Sequence, residues 1–146
     1  MINKVRIEIA AVSENEAFAR SAVSAFVAGL DPTIEELTEI KTAVSEAVSN
    51  SIIHGYKGGS IEEIVVLECS YDEKGIVRIT IADTGIGIED IEQARRPLFT
   101  TGSEDERSGM GFTVMESFMD KLQVESTPGM GTRITMVKLL DRSYGF

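Results

Sequence analysis

The chain has 146 residues, 42% of them apolar and 26% charged, which suits one soluble globular domain able to bury about 68–70% of its unfolded surface. Its 14 Lys and Arg stand against 24 Asp and Glu for a formal charge of −10, which argues against a nucleic-acid backbone or an anionic membrane surface as the main ligand. One cysteine excludes an internal disulfide and fits a reducing, cytoplasmic setting, no run approaches the roughly 18–20 apolar residues of a membrane span, and Met1-Ile2-Asn3 opens no signal peptide.

Lys4-Val5-Arg6-Ile7-Glu8-Ile9 alternates polar and apolar, the period of a half-buried strand. From Ser13 to Leu30 the period lengthens and predicts a helix with Phe18, Ala22, Ala25, Phe26 and Gly29 on its buried face. Glu16, Arg20, Val23 and Val27 then fall on the opposite side. Asp31 is placed to cap a second helix with Pro32 at its first position, and Glu35 and Glu36 favour the positive end of its dipole. Leu37, Ile40, Val44 and Val48 form the buried stripe of that helix, which runs to Gly55 and the Gly58-Gly59 loop. Ile61 to Tyr71 reads as a strand with Val65, Leu67, Cys69 and Tyr71 on one face, so Cys69 is a small core residue. Asp72 to Gly75 has hairpin-turn composition, and the strand after it, with Val77, Ile79 and Ile81 inward, ends at Asp83. Residues 95 to 108 show no period, which marks a lid or loop. Helical spacing returns from Gly109 to Met119, and Gln123–Ser126 and Arg133–Leu140 close as a hairpin around Thr127-Pro128-Gly129. The order predicts an α+β fold, a mostly antiparallel sheet with helices on one face.

Four clusters remain once the core pattern is subtracted. On the second helix Glu46, Asn50 and His54 lie at i, i+4 and i+8, about 40° apart per step, with Glu46 roughly opposite the buried stripe. Asp83-Thr84-Gly85-Ile86-Gly87 sits where an apolar strand stops; a carboxylate there can accept a hydrogen bond from an exocyclic amine such as adenine's, and the glycines admit close backbone approach. Ser108-Gly109-Met110-Gly111 opens a helix, whose unpaired N–H groups and dipole suit phosphates. Gly129-Met130-Gly131-Thr132 makes a tight turn whose hydroxyl can complete a polar pocket. The chain contains no P-loop and no Gly-x-Gly-x-x-Gly opening a βαβ unit, so another scaffold must hold any nucleotide.

In this order the four clusters resemble the N, G1, G2 and G3 boxes of the GHKL ATPase/kinase superfamily over about residues 5 to 140. Within it the chain is most similar to the bacterial anti-sigma serine kinases. Leu30-Asp-Pro-Thr33, Leu37-Thr-Glu-Ile-Lys-Thr42 and Arg96-Pro-Leu-Phe-Thr-Thr101 look like the sporulation branch of that group. The resemblance implies a two-layer α/β sandwich that binds ATP or ADP with Mg²⁺ under a mobile lid. It makes Asn50 the Mg²⁺ ligand, Asp83 the reader of the adenine amino group with Gly85 and Gly87 beside it, and Thr132 a neighbour of the base. Ser108, Gly109 and Gly111 face the phosphates, and Arg107 meets the terminal phosphate. Glu46, one helical turn before Asn50, is the candidate catalytic base that orients an attacking hydroxyl.

Length narrows the expectation further. Gyrase-type ATPases need a transducer domain and histidine kinases a helical hairpin bearing the phosphoacceptor; neither is expected here, and His54 reads as a structural group near Asn50. The resemblance then implies a single domain over 1–146, a free-standing kinase that binds a sigma-F-type sporulation sigma factor, phosphorylates an anti-anti-sigma protein on serine, and forms a homodimer. A non-catalytic, ATP-gated sigma-binding module and the general-stress anti-sigma kinase are the alternatives. Arg20, an arginine between two aliphatics on the back of the first helix, is the candidate partner anchor.

Overall fold

The strands follow the alternation of the sequence, and every pairing between them is antiparallel. In the computed structural model, which describes residues 2–95 and 111–141, β1 (Asn3–Ala11), β2 (Ser60–Tyr71), β3 (Ile76–Asp83), β4 (Lys121–Thr127) and β5 (Gly131–Leu139) form a sheet of order β1-β2-β3-β5-β4. Register places Val5, Cys69, Ile79, Met136 and Leu122 in one row across all five strands. That row faces the helices, and burial pushes the Cys69 thiol up to about 12, as befits an inert core residue. The next row, Arg6, Glu68, Thr80, Thr135 and Gln123, points the other way, with Glu68 joined to Arg6 at 3.1 Å and to Arg133 at 3.7 Å.

Helices α1 (Glu14–Val27), α2 (Ile34–Asn50) and α4 (Gly111–Phe118) cover the apolar face, α2 packing against both of the others; α3 (Ile91–Ala94) is a single turn. Among the described residues no helix is long and apolar enough to cross a membrane. Of the expected α2 stripe Ile40, Val44 and Val48 are fully buried beside Ala43 and Ala47, while Leu37, in the first turn, is only half-buried.

Helix α1 turns its other side inward. Ala19, Val23, Val27 and Leu30 are buried, whereas Phe18 is 55% exposed and Ala25 and Gly29 face solvent. Two apolar stripes compete on this helix. The small and β-branched one lets α1 approach the sheet and α2 closely, and Phe26 is left half-buried against Tyr71 with ring centroids 5.0 Å apart. Val23 and Val27 are therefore core residues, not exposed neighbours of Arg20.

The cap of α2 also differs from expectation. Asp31 adopts a left-handed φ of 55° and closes the 3₁₀ turn Ala28–Leu30, its N–H donating to Ala28 O. Thr33 caps the helix instead. Its Oγ1 accepts from Glu36 N at 3.0 Å, and Glu36 Oε1 accepts from Thr33 N at 2.9 Å, so two end groups are satisfied reciprocally.

One ion pair locks the layers together. Lys138 of β5 donates to Glu39 Oε1 of α2 at 2.6 Å and to the Phe118 carbonyl at 2.7 Å. The cation thus sits at the C-terminal, negative end of α4, and its side chain is only 12% exposed.

Candidate functional site

Helix α2 does not end on a cap. After Asn50 it widens into a π turn, Ser51–Gly55, with Tyr56 N–H donating to Ser51 O at 2.9 Å. The wider turn leaves the Gly55 carbonyl to accept from Ile86 N at 3.0 Å, which stitches the helix end to the loop after β3. That contact needs two glycines. A Cβ on Gly85 would lie 2.0 Å from Gly55 O, and one on Gly55 would lie 3.0 Å from the Asp83 carboxylate.

Asp83 ends β3 opposite Thr132 of β5 and is 7% exposed. Burial raises its pKa; the Gly85 N–H on its Oδ1 (2.9 Å), the Ser51 hydroxyl and the Thr132 backbone N–H oppose that rise by stabilising the charge. Beside it, Ser126 Oγ lies 2.9 Å from Thr132 Oγ1 and accepts from Ile88 N at 2.7 Å. Tyr56 Oη accepts from Thr84 N at 2.8 Å and donates to Ile64 O at 2.6 Å. The acid is therefore held by backbone and hydroxyl groups from three segments of the chain, the π turn, the loop after β3 and β5.

These segments enclose a cleft of about 1020 Å³. Asn50, Asp83, Gly85, Gly87, Gly111 and Thr132 all line it, as does His54, so the sequence-expected residues from α2, the loop after β3, α4 and β5 converge there. Glu46 stands just off its wall. It is half-buried, and its Oε1 lies 3.3 Å from the point a Cβ on Gly111 would occupy; Asn50 Nδ2 and Oδ1 lie 3.2 and 3.4 Å from the same point. Arg107, Ser108 and Gly109 lie outside the described residues. Arg20 is elsewhere, on α1, hydrogen-bonded to Glu16 and Ser45.

Sequence reasoning did not single out Ser51, Tyr56 or Ser126. Each works through a residue far away in the chain, and a hydroxyl near a helix end or in a hairpin carries no signal of its own. Gly55 had one, as a glycine closing a helix.

The donor set bears on metal binding. Among the described residues no three His, Cys, Asp or Glu side chains gather as a cation site. A neutral amide next to one carboxylate fits Mg²⁺ only when the ion brings oxygen ligands with it, as it does on a triphosphate.

A family model described as the histidine kinase-like ATPase domain matches residues 9–138. The anti-sigma F factor of Clostridium perfringens is 60% identical over 141 residues, covering 97% of this chain and 99% of its own. The chain belongs to the anti-sigma F factor family. A second anti-sigma F factor, from Bacillus licheniformis, is 54% identical over 143 residues and covers 98% of this chain and 97% of its own. Solved structures agree on the fold of the family. The RsbU and RsbW domains of Rv1364c from Mycobacterium tuberculosis superpose with a TM-score of 0.69 at 19% identity, covering 94% of this chain and 32% of theirs. The mycobacterial sensor histidine kinase MprB gives 0.55 at 16% identity, covering 92% of this chain and 97% of its own. The chain thus carries the histidine kinase-like ATPase domain as a five-stranded antiparallel sheet with a helical layer.

Proposed function

We propose that this anti-sigma F family member is an ATP-dependent serine protein kinase acting in the cytoplasm as a single-domain homodimer. It binds and silences a sigma-F-type sporulation sigma factor, and it phosphorylates that system's anti-anti-sigma protein on serine. The observation that carries the reading is the meeting of Glu46, Asn50 and Gly111 at one edge of the cleft, with Asp83 buried at its base.

In this reading Asp83 accepts the adenine amino group, and Thr132, Gly85 and Gly87 border the base. Ser108, Gly109 and Gly111 bring amides toward the phosphates, and Arg107 faces the terminal one. Asn50 would hold Mg²⁺ through its side-chain oxygen, and the ion, bound with ATP, would neutralise phosphate charge. Glu46 orients the substrate's serine hydroxyl and takes its proton as the oxygen attacks the terminal phosphorus, while the bond from that phosphorus to the bridging oxygen breaks and ADP leaves. Transfer then depends mainly on positioning and electrostatics. Arg20 anchors the partner proteins at a separate surface on α1.

Radiolabel transfer from γ-labelled ATP to the anti-anti-sigma protein tests the assignment. Glu46→Gln keeps ATP binding and lowers transfer about 100-fold or more. Undiminished transfer removes Glu46 as the base. ATP binding with no transfer by the wild type identifies a nucleotide-gated sigma-binding module instead.

A further inference from the structure

Arg20 is held in an unusual way for a surface arginine. Its side chain is 37% exposed, yet one nitrogen, Nη1, carries both of its bonds, to Glu16 Oε2 at 2.8 Å and to Ser45 Oγ at 3.2 Å. The Ser45 hydroxyl donates to the same Glu16 oxygen at 2.5 Å and closes a triangle across the α1–α2 contact. Nε and Nη2 have no hydrogen-bond partner among the described residues.

The triangle changes what the pair can do. On a single exposed helix, Glu16 and Arg20 at i,i+4 make a weak, mobile ion pair. Ser45 belongs to a different helix, so its bond fixes Glu16 against α2 and fixes Arg20 through Glu16. A partly exposed guanidinium held through Nη1 keeps its Nε–Nη2 fork for a partner, and little side-chain freedom is left to lose when that partner arrives.

We propose that Ser45 is a positioning residue for partner binding, its hydroxyl holding Glu16 and through it the orientation of Arg20. The inference rests on the reading of Arg20 as a partner anchor. Ser45 touches neither nucleotide nor partner in this scheme. It immediately precedes Glu46 on α2, so the same stretch of helix serves both the partner surface and the nucleotide cleft.

Binding of the intact, ATP-loaded protein to the purified sigma F factor encoded in the same genome tests this, with ATP affinity measured alongside. Ser45→Ala should weaken sigma binding about three- to tenfold, the scale of one freed side chain, with ATP affinity unchanged. Ser45→Thr, which keeps the hydroxyl, should restore binding to within about twofold, and adding Ser45→Ala to Arg20→Ala should cost nothing further. Unimpaired binding by Ser45→Ala alongside a weakened Arg20→Ala overturns the positioning role and leaves the anchor standing. An equal loss in the Arg20→Ala background, or a matching loss of ATP affinity, also overturns it. Full binding by Arg20→Ala overturns the anchor reading itself, and the positioning role with it.

Discussion

The two ends of α2 are finished in opposite ways. At the N-terminus Thr33 and Glu36 satisfy the helix's own end groups within four residues, and the other Glu36 oxygen, Oε2, accepts from Asp141 N at 2.6 Å without entering that cap. At the C-terminus the helix stays open, widens into a π turn, and passes its free Gly55 carbonyl to the loop after β3. The first end spends its polar groups on stability. The second holds them in long-range contacts around a buried carboxylate, which is where Asn50, Asp83 and Gly111 meet. One helix thus serves as a stable beam with a locally closed end and a functional end completed by the rest of the fold.

Substitutions at each end sharpen this contrast. Gly85→Ala strikes the open end hardest, because its Cβ would lie 2.0 Å from a backbone oxygen with no flexible side chain to yield. It should destabilise the fold by about 3 kcal/mol or more in urea titration and abolish ATP binding. Normal ATP binding would show that the π turn and the loop after β3 are not joined as described.

Asp83→Asn is gentler on the fold, since Oδ1 can still accept the Gly85 N–H, but the amide NH₂ cannot accept from an adenine amine. ATP affinity should fall about 100-fold by calorimetry. The pH dependence adds a sign. Because burial raises the Asp83 pKa above 3.8, between that value and the raised one the folded chain holds a proton that the unfolded chain has released. The contribution of Asp83 to stability therefore falls as pH climbs through this window and is level above it. Melting curves of Asp83→Asn should lack that descent.

Lys138→Met tests the span between the two ends. It keeps the apolar stem and removes the ammonium, leaving Glu39 and the Phe118 carbonyl without it, and should cost about 2 kcal/mol in the same titration. Thr33→Ala, at the closed end, should cost about 1 kcal/mol and leave ATP affinity unchanged. A loss of ATP affinity there would end the division of labour between the two ends.

How much of this was legible in the sequence depended on how local each cause is. The strands and the α2 stripe were readable because the period of Val65, Leu67 and Cys69, or of Ile40, Val44 and Val48, is itself the burial pattern. Helix α1 misled because Phe18 and Phe26 outweigh Val23 and Val27 in bulk, whereas close approach to α2 and the sheet favours the smaller residues. Asp31-Pro32 imitates a helix start, and only the left-handed φ at Asp31 moves the cap to Thr33. The glycine-rich clusters were visible because close backbone approach demands glycine itself. A π turn carries no side-chain signature, and the hydroxyls of Ser51, Tyr56 and Ser126 gain their meaning only from partners on other segments.

The Tyr56 hydroxyl has a dynamic consequence. It takes the Thr84 amide and gives to the Ile64 carbonyl, so the turn after the π helix, the irregular start of β2 and the loop after β3 share one oxygen. Thr84 N–H is therefore guarded by a side chain rather than by a ladder carbonyl. Its solvent exchange should follow the excursions of residue 56 and not the opening of the sheet, which makes this amide a native clock for the breathing of the cleft.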